Sequence, residues 1–264
     1  MIFQRAKLLS DYKIVDTHAH LCDAVFDSDR DEVLKRAKDA GVAAIIAVSE
    51  DLTDAQRNLE LVCSHPELRP AAGLYPTALN LDKAEAMTSF IRRERNGLAA
   101  IGEVGLDHWA IKEESDKELQ REIFGRFIEL ALELDLPLNV HSRSAGRHAI
   151  RLLINRGAIK VQLHAFDGKA TSALPAVEAG YFFSIPPSVI RSRQKQKLVK
   201  QLPLSCLLVE TDSPVLGPSP AGRNEPANVV IAINAIAEIK GVSKDEVMEA
   251  VFNNTCSLFG DLKL

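Results

Sequence analysis

Val15-Asp16-Thr17-His18-Ala19-His20 decides how this chain is read. A short apolar run beginning at Ile14 passes directly into two histidines spaced two apart. On an extended segment, residues i and i+2 lie on one face, so the two imidazoles point the same way. The pattern then recurs. Ala100-Ile101-Gly102 leads to Glu103, Leu138-Asn139-Val140 to His141, and Val161-Gln162-Leu163 to His164. Leu207-Leu208-Val209-Glu210-Thr211 leads to Asp212. Imidazoles and carboxylates need partners when buried, so apolar contact alone gives no reason to end strands with them.

Outward from these runs, the strand candidates are Ile14–Thr17, Ala43–Val48, Arg69–Gly73, Ala100–Val104, Leu138–His141, Val161–His164, Tyr181–Ile185 and Cys206–Glu210. Each is brief and lacks clean period-2 alternation, as parallel strands buried on both faces do. Pro70 cannot donate to a ladder and is expected to open the third strand. Helical stretches lie between. Arg30–Ala40 ends at Gly41, a C-terminal cap. Asp116–Asp135 spaces Leu119, Ile123, Phe127, Leu130 and Leu134 into one apolar stripe. Ser243 and Glu246 form a capping-box pattern ahead of Val247, Val251 and Phe252. Eight strands alternating with helices predict an α/β fold, a (β/α)8 TIM barrel. Such a barrel builds its active site at the C-terminal strand ends, where all six polar residues fall.

A chain of 264 residues fits one undivided barrel, and no linker, low-complexity segment or fixed-period repeat divides it, so a single domain over 1–264 is expected. The net charge of −4 excludes a strongly basic nucleic-acid footprint over the whole molecule, so any such contact must come from a local basic rim. Cys22, Cys63, Cys206 and Cys256 are far apart with no CxxC pair, which points to free thiols in a reducing compartment. Met1 to Lys13 lacks the apolar core of a signal segment, and no run of about 18 apolar residues occurs. A soluble, cytoplasmic protein without membrane contact is the expectation.

Taken singly, each polar residue has a plain structural explanation. A histidine ending a strand is often only hydrogen-bonded, Glu103 can pair with an arginine, and Asp212 ahead of Ser213-Pro214 can cap a turn. Together they are a donor set. Four imidazoles and two carboxylates suit Zn²⁺, Mn²⁺ or Fe²⁺ better than Ca²⁺ or Mg²⁺, which favour all-oxygen shells. No Ser or Cys motif offers a nucleophile.

These same residues resemble the TatD family of metal-dependent deoxyribonucleases, a branch of the amidohydrolase-like barrels. The similarity rests on Asp16-Thr17-His18-Ala19-His20-Leu21, Gly102-Glu103-Val104-Gly105-Leu106-Asp107, His141-Ser142-Arg143, His164-Ala165-Phe166-Asp167-Gly168, Glu210-Thr211-Asp212-Ser213-Pro214 and Asn224-Glu225-Pro226. The resemblance implies two divalent ions, with Zn, Mn and Mg all open. It puts one ion on His18, His20 and Asp212, the other on His141 and His164, and Glu103 between them. One departure stands out: the family carries Gly-x-His-Pro after the third strand, near the substrate phosphate, where this chain reads Gly73-Leu74-Tyr75-Pro76. Tyr75 can donate a hydrogen bond but carries no positive charge.

The resemblance implies a nucleic-acid substrate, DNA that is single-stranded or attacked at its ends, cleaved as by a 3′–5′ exonuclease through a metal-activated water. Asp212 is the candidate to orient that water and move its proton, and Glu103 sets the metal spacing. Arg143, Tyr75, Arg223 and Asn224 are the candidate substrate contacts. Arg147, and the cluster Arg191, Arg193, Lys195 and Lys197, offer further positive charge near the rim, though the cluster also suits a solvated helix face. Trp109 and Tyr75 can stack on a base. His108 is expected at the surface or behind the site, and His65 and His148 as structural. Two alternatives remain: a metal-dependent ester or amide hydrolase such as an aminoacyl-tRNA deacylase, and a non-catalytic binding protein.

Overall fold

Eight parallel strands run in sequence order around the sheet, each bonded to the next. The computed structural model describes residues 12–264, so the expectation for Met1 to Lys13 falls almost wholly outside the described residues. The strands are β1 (Ile14–Ala19), β2 (Val42–Ala47), β3 (Leu68–Ala72), β4 (Ala100–Gly105), β5 (Leu138–His141), β6 (Val161–Leu163), β7 (Phe182–Ile185) and β8 (Leu207–Val209). Around them lie α1 (Arg30–Asp39), α2 (Leu52–Ser64), α3 (Leu81–Glu94), α4 (Glu114–Leu134), α5 (Gly146–Asn155), α6 (Ala170–Glu178), α7 (Arg193–Gln201), α8 (Val229–Lys240) and α9 (Lys244–Phe259). This is the expected (β/α)8 barrel.

Closure between β1 and β8 comes from side chains and loop backbone. Thr17 Oγ1 donates to Val209 O at 3.0 Å, and Thr211 N–H donates to Asp16 Oδ1 at 2.8 Å. The third strand differs from expectation. It begins at Leu68, with Pro70 in its middle opposite Ala47. Proline lacks only the donor, and its carbonyl still accepts from Ala99 N–H at 2.7 Å.

The local signals behave as their chemistry requires. Gly41 takes a left-handed φ of 90° just beyond α1. Ser243 and Glu246 complete a reciprocal capping box on α9. The apolar stripe of α4 buries Ile123, Phe127, Leu130 and Leu134 against the barrel, each stabilising by about 1.5–3 kcal/mol. At one barrel end Val15, Ala44, Ile46, Ala71 and Ala100 pack with Leu262, whose carbonyl accepts from Arg69 Nε at 2.6 Å. That end is sealed by apolar contact and leaves the C-terminal mouth for polar groups. Among the described residues no helix is long and apolar enough to cross a membrane.

Candidate metal centre

Two backbone bonds assemble the centre of the mouth. Asp212 N–H donates to His18 O and His20 N–H donates to Ser213 O, both at 2.8 Å. They dock the turn after β8 onto the end of β1 and hold Asp212 at a φ of 56°, a left-handed conformation costing on the order of 1 kcal/mol unless its surroundings fix it. His141 ends β5 and His164 follows β6 directly. Glu103 sits in β4 behind Gly73, where an added Cβ would fall 2.5 Å from Glu103 O. Only glycine lets the chain leaving β3 pass so close.

All six expected residues converge. His18, His20 and Asp212 form one triad of donors, and Glu103, His141 and His164 another. Glu103 divides its oxygens between the two. Its Oε1 lies 2.6 Å from His141 Nδ1 and 2.8 Å from His164 Nε2. Its Oε2 lies 3.4 Å from His20 Nε2 and 3.7 Å from His18 Nε2. Asp212 Oδ1 stands 3.4 Å from each of those two nitrogens.

Charge tests whether these donors suit a cation. The Nε2 atoms of His18 and His20 are 3.3 Å apart, and His141 Nδ1 is 3.2 Å from His164 Nε2. Facing imidazole lone pairs repel unless a proton or a cation lies between them. Burial works against charging His18, yet hydrogen bonding to Asp212 and the charge of Glu103 raise it to about 10. His141 is raised to about 9 against burial, by the charge of Glu103 and its bond to Asp107. His164 stacks on His18 at 3.9 Å with 5° between the rings, and burial followed by the charge of His18 lowers it to about 4. Asp212 is lowered despite burial by its bonds to His18 and His20. The cluster therefore calls for positive charge, and protons can supply it to only some of the rings. Divalent cations fit this donor set, as imidazole-carboxylate sites do.

The groups that aim these ligands lie behind them. Asn139 Oδ1 holds His18 Nδ1 at 2.8 Å, which turns Nε2 toward the cluster. Asp107 Oδ2 holds His141 Nε2 at 3.1 Å and leaves Nδ1 for Glu103. Below runs a buried polar floor, in which Gln162 Nε2 donates to Thr17 Oγ1 at 3.0 Å and to Ser184 Oγ at 2.8 Å. Ser184 in turn donates to Glu210 Oε2 at 2.5 Å. Glu210 Oε1 accepts from Ala165 N–H at 2.8 Å while Lys195 Nζ donates to Ala165 O at 2.7 Å, so the peptide following His164 is clamped on both sides. Burial raises Glu210 to about 7 and lowers Lys195. Asn139 and Glu210 each stand two residues before an expected ligand, His141 and Asp212. That i, i+2 relation was the available clue to both.

A cleft of about 560 Å³ opens over Glu103, His141 and Asp212, walled by Tyr75, Arg143 and Lys195. Tyr75 meets His141 edge-on at 5.1 Å, and burial raises its phenol, which stays a donor. Arg223 and Asn224, expected as substrate contacts, do not line it. The Arg223 guanidinium grips Asp29 at 2.5 and 2.7 Å, and the Asn224 amide donates to Thr211 O and Val215 O at 2.7 and 2.8 Å. Both brace the loop after β8. Of the basic cluster only Lys195 reaches the cleft; Arg191 donates to Gly217 O at 3.2 Å. Arg147 borders a separate hollow beside Ser144 and Gly168. His108 and His148 face each other at 4.9 Å, and His65 lies 3.5 Å from Asp31.

Comparison with known proteins agrees with this geometry. The family model for TatD-related DNases matches residues 15–260. The human deoxyribonuclease TATDN3 is 47% identical over 263 residues, covering 95% of this chain and 96% of that protein. The metal-dependent hydrolase YabD of Bacillus subtilis is 33% identical over 255 residues, covering 93% and 98%. The crystal structure of YJJV, a TatD homolog from Escherichia coli K12, superposes with a TM-score of 0.87 at 27% identity, covering 94% and 98%.

Proposed function

The chain belongs to the TatD-related DNase family, and from that premise we propose that it is a divalent-metal-dependent hydrolase cleaving DNA phosphodiester bonds, single-stranded or from ends, in the 3′–5′ direction. The observation that carries this reading is the division of Glu103, one oxygen toward His141 and His164 and the other toward His18 and His20. His18, His20 and Asp212 would hold one cation and His141 with His164 a second, with Glu103 shared. When bound, such ions lower the pKa of water and neutralise charge on phosphoryl oxygens.

The protein's own groups do the rest. Asp212 gives one oxygen to the His18–His20 side, and its second oxygen orients the attacking water and takes its proton. Arg143 and Lys195 present positive charge in the cleft to the substrate phosphates, Arg143 through a guanidinium able to bind bidentately. Tyr75 donates its phenolic hydrogen to a phosphate oxygen, in the place where the family carries histidine. Asn139 and Asp107 hold two of the imidazoles in the required orientation. A cleft of about 560 Å³ admits a nucleotide or two rather than a duplex, which favours strand ends. Arg143 and Lys195 also favour a phosphodiester over the neutral ester or amide of a deacylase, and a complete donor set weighs against a binding-only protein. Cys22, Cys63, Cys206 and Cys256 are all free, in keeping with a reducing compartment, and we place the protein in the cytoplasm.

Glu103→Gln tests the assignment, because it keeps the shape and removes an anionic ligand. Metal analysis of the purified variant is expected to show less bound cation than wild type, together with loss of DNA hydrolysis. Full metal content in that variant would remove Glu103 as the shared ligand.

A further inference from the structure

We infer that Trp109, backed by Arg143, is a nucleobase-stacking platform at the rim of the cleft, seating the base of a nucleotide whose phosphate lies at the metal centre. The inference rests on the deoxyribonuclease reading and adds to it a specific subsite. Trp109 is the chain's single tryptophan and is 57% exposed. One face of its indole is covered by Arg143, whose Cζ lies 3.8 Å from the ring centroid. The arrangement leaves an aromatic surface open to a second planar group. Arg143 also walls the cleft, so the stack reaches from the rim into the site. Among the described residues Arg143 forms no ion pair with a carboxylate, which leaves its charge for a phosphate.

The platform is tied to the reaction centre by one carboxylate. Asp107 Oδ1 accepts from the backbone N–H groups of Trp109 at 2.8 Å and Ala110 at 2.7 Å, fixing the course of the loop that carries the indole. Its Oδ2 holds His141 Nε2 at 3.1 Å. Next to it, His108 N–H donates to Arg143 O at 3.0 Å, joining the loop after β4 to the loop after β5. The backbone of Trp109 and a candidate metal ligand are thus held by the same side chain. Every base has a π-face, so stacking here serves any DNA sequence, as an end-acting nuclease requires. Arginine behind the ring adds a cation for the adjoining phosphate.

Because Trp109 is the only tryptophan, its fluorescence reports on the site directly. The probes are a thymidine decamer and a decamer of the same charge built on abasic deoxyribose phosphate. With the metal-loaded protein, emission is expected to be quenched more strongly by the thymidine decamer than by the abasic one. In steady-state cleavage, Trp109→Ala is expected to raise KM for the thymidine decamer roughly tenfold, the size of one lost base–aromatic stack, with kcat little changed. Trp109→Phe should restore most of it. Cleavage by wild type with equal quenching by both decamers, and an unchanged KM in Trp109→Ala, would overturn the platform and leave the nuclease reading intact. No cleavage of the thymidine decamer by wild type would overturn both.

Discussion

Asn139→Leu isolates how much the metal centre depends on a residue that touches no cation. Asn139 is fully buried, and its Oδ1 is the group that holds His18 Nδ1. Leucine of similar size removes that acceptor, leaving a buried N–H unsatisfied at a cost of about 1–3 kcal/mol. The second bond, from the Asn139 amide to Thr17 O at 2.9 Å, is also lost. Its cost is smaller, because Gln162 Nε2 still reaches Thr17 O at 3.2 Å. Leucine's own apolar burial offsets part of the sum, so the metal-free protein should lose about 1–3 kcal/mol in urea unfolding. Freed from its anchor, the His18 ring can turn or take the other tautomer, and metal affinity should fall about 10–100-fold. Titration calorimetry with Mn²⁺ on chelator-stripped protein measures it. Asn139→Asp keeps an acceptor for Nδ1–H and should bind metal more tightly than the leucine variant. A folded Asn139→Leu protein with wild-type metal affinity would refute the reasoning.

Three further outcomes follow from the same geometry. Arg143→Ala should keep its metals and raise KM for single-stranded DNA about 10–100-fold, the worth of a charge-assisted bond, whereas Arg223→Ala, already committed to Asp29, should leave KM unchanged; the reverse ranking in steady-state kinetics would exchange their roles. In metal-free protein His18 and His141 are raised to about 10 and about 9, so both hold protons near neutral pH and cations must displace them. Mn²⁺ added to weakly buffered protein at about pH 8 should therefore release protons to an indicator dye, and apparent affinity should rise with pH up to those values; pH-independent binding would contradict this. Burial pushes Cys22 and Cys206 each up to about 12 while Cys63 is exposed, so a disulfide-exchange reagent should label Cys63 in the native protein and reach Cys22 and Cys206 only on unfolding. Native labelling of Cys22 at the rate of Cys63 would argue against the buried environment.

The barrel and its six converging residues were legible because both are written in short range. A parallel strand is a few consecutive apolar residues, and each of the six stands at the end of such a run, from His18 on β1 and His20 just past it to Asp212 after β8. Pairing between distant segments was not legible. Arg223 has the composition of a phosphate contact, and nothing near it in sequence says that Asp29, 194 positions away, takes its guanidinium. Lys195 looked the same as Arg191, Arg193 and Lys197 along the chain. Only the clamp around Ala165 draws it into the cleft. No role was legible for Asn139, Glu210 and Asp107, although the last two stand in the stretches that carry the family resemblance, because their partners come from other strands and loops. Period-2 spacing to His141 and Asp212 marked the first two. Asp107 carried no such mark, since its bonds to His141 and Trp109 depend on how the loop after β4 turns.

The most direct test of the account is hydrolysis of an end-labelled single-stranded DNA oligonucleotide by chelator-stripped protein, with and without Mn²⁺, Mg²⁺ and Zn²⁺, beside Asp212→Asn. The account predicts a metal-dependent ladder of products shortened from the 3′ end and absent from the variant. No cleavage with any of the three metals, or equal cleavage by Asp212→Asn, would contradict it.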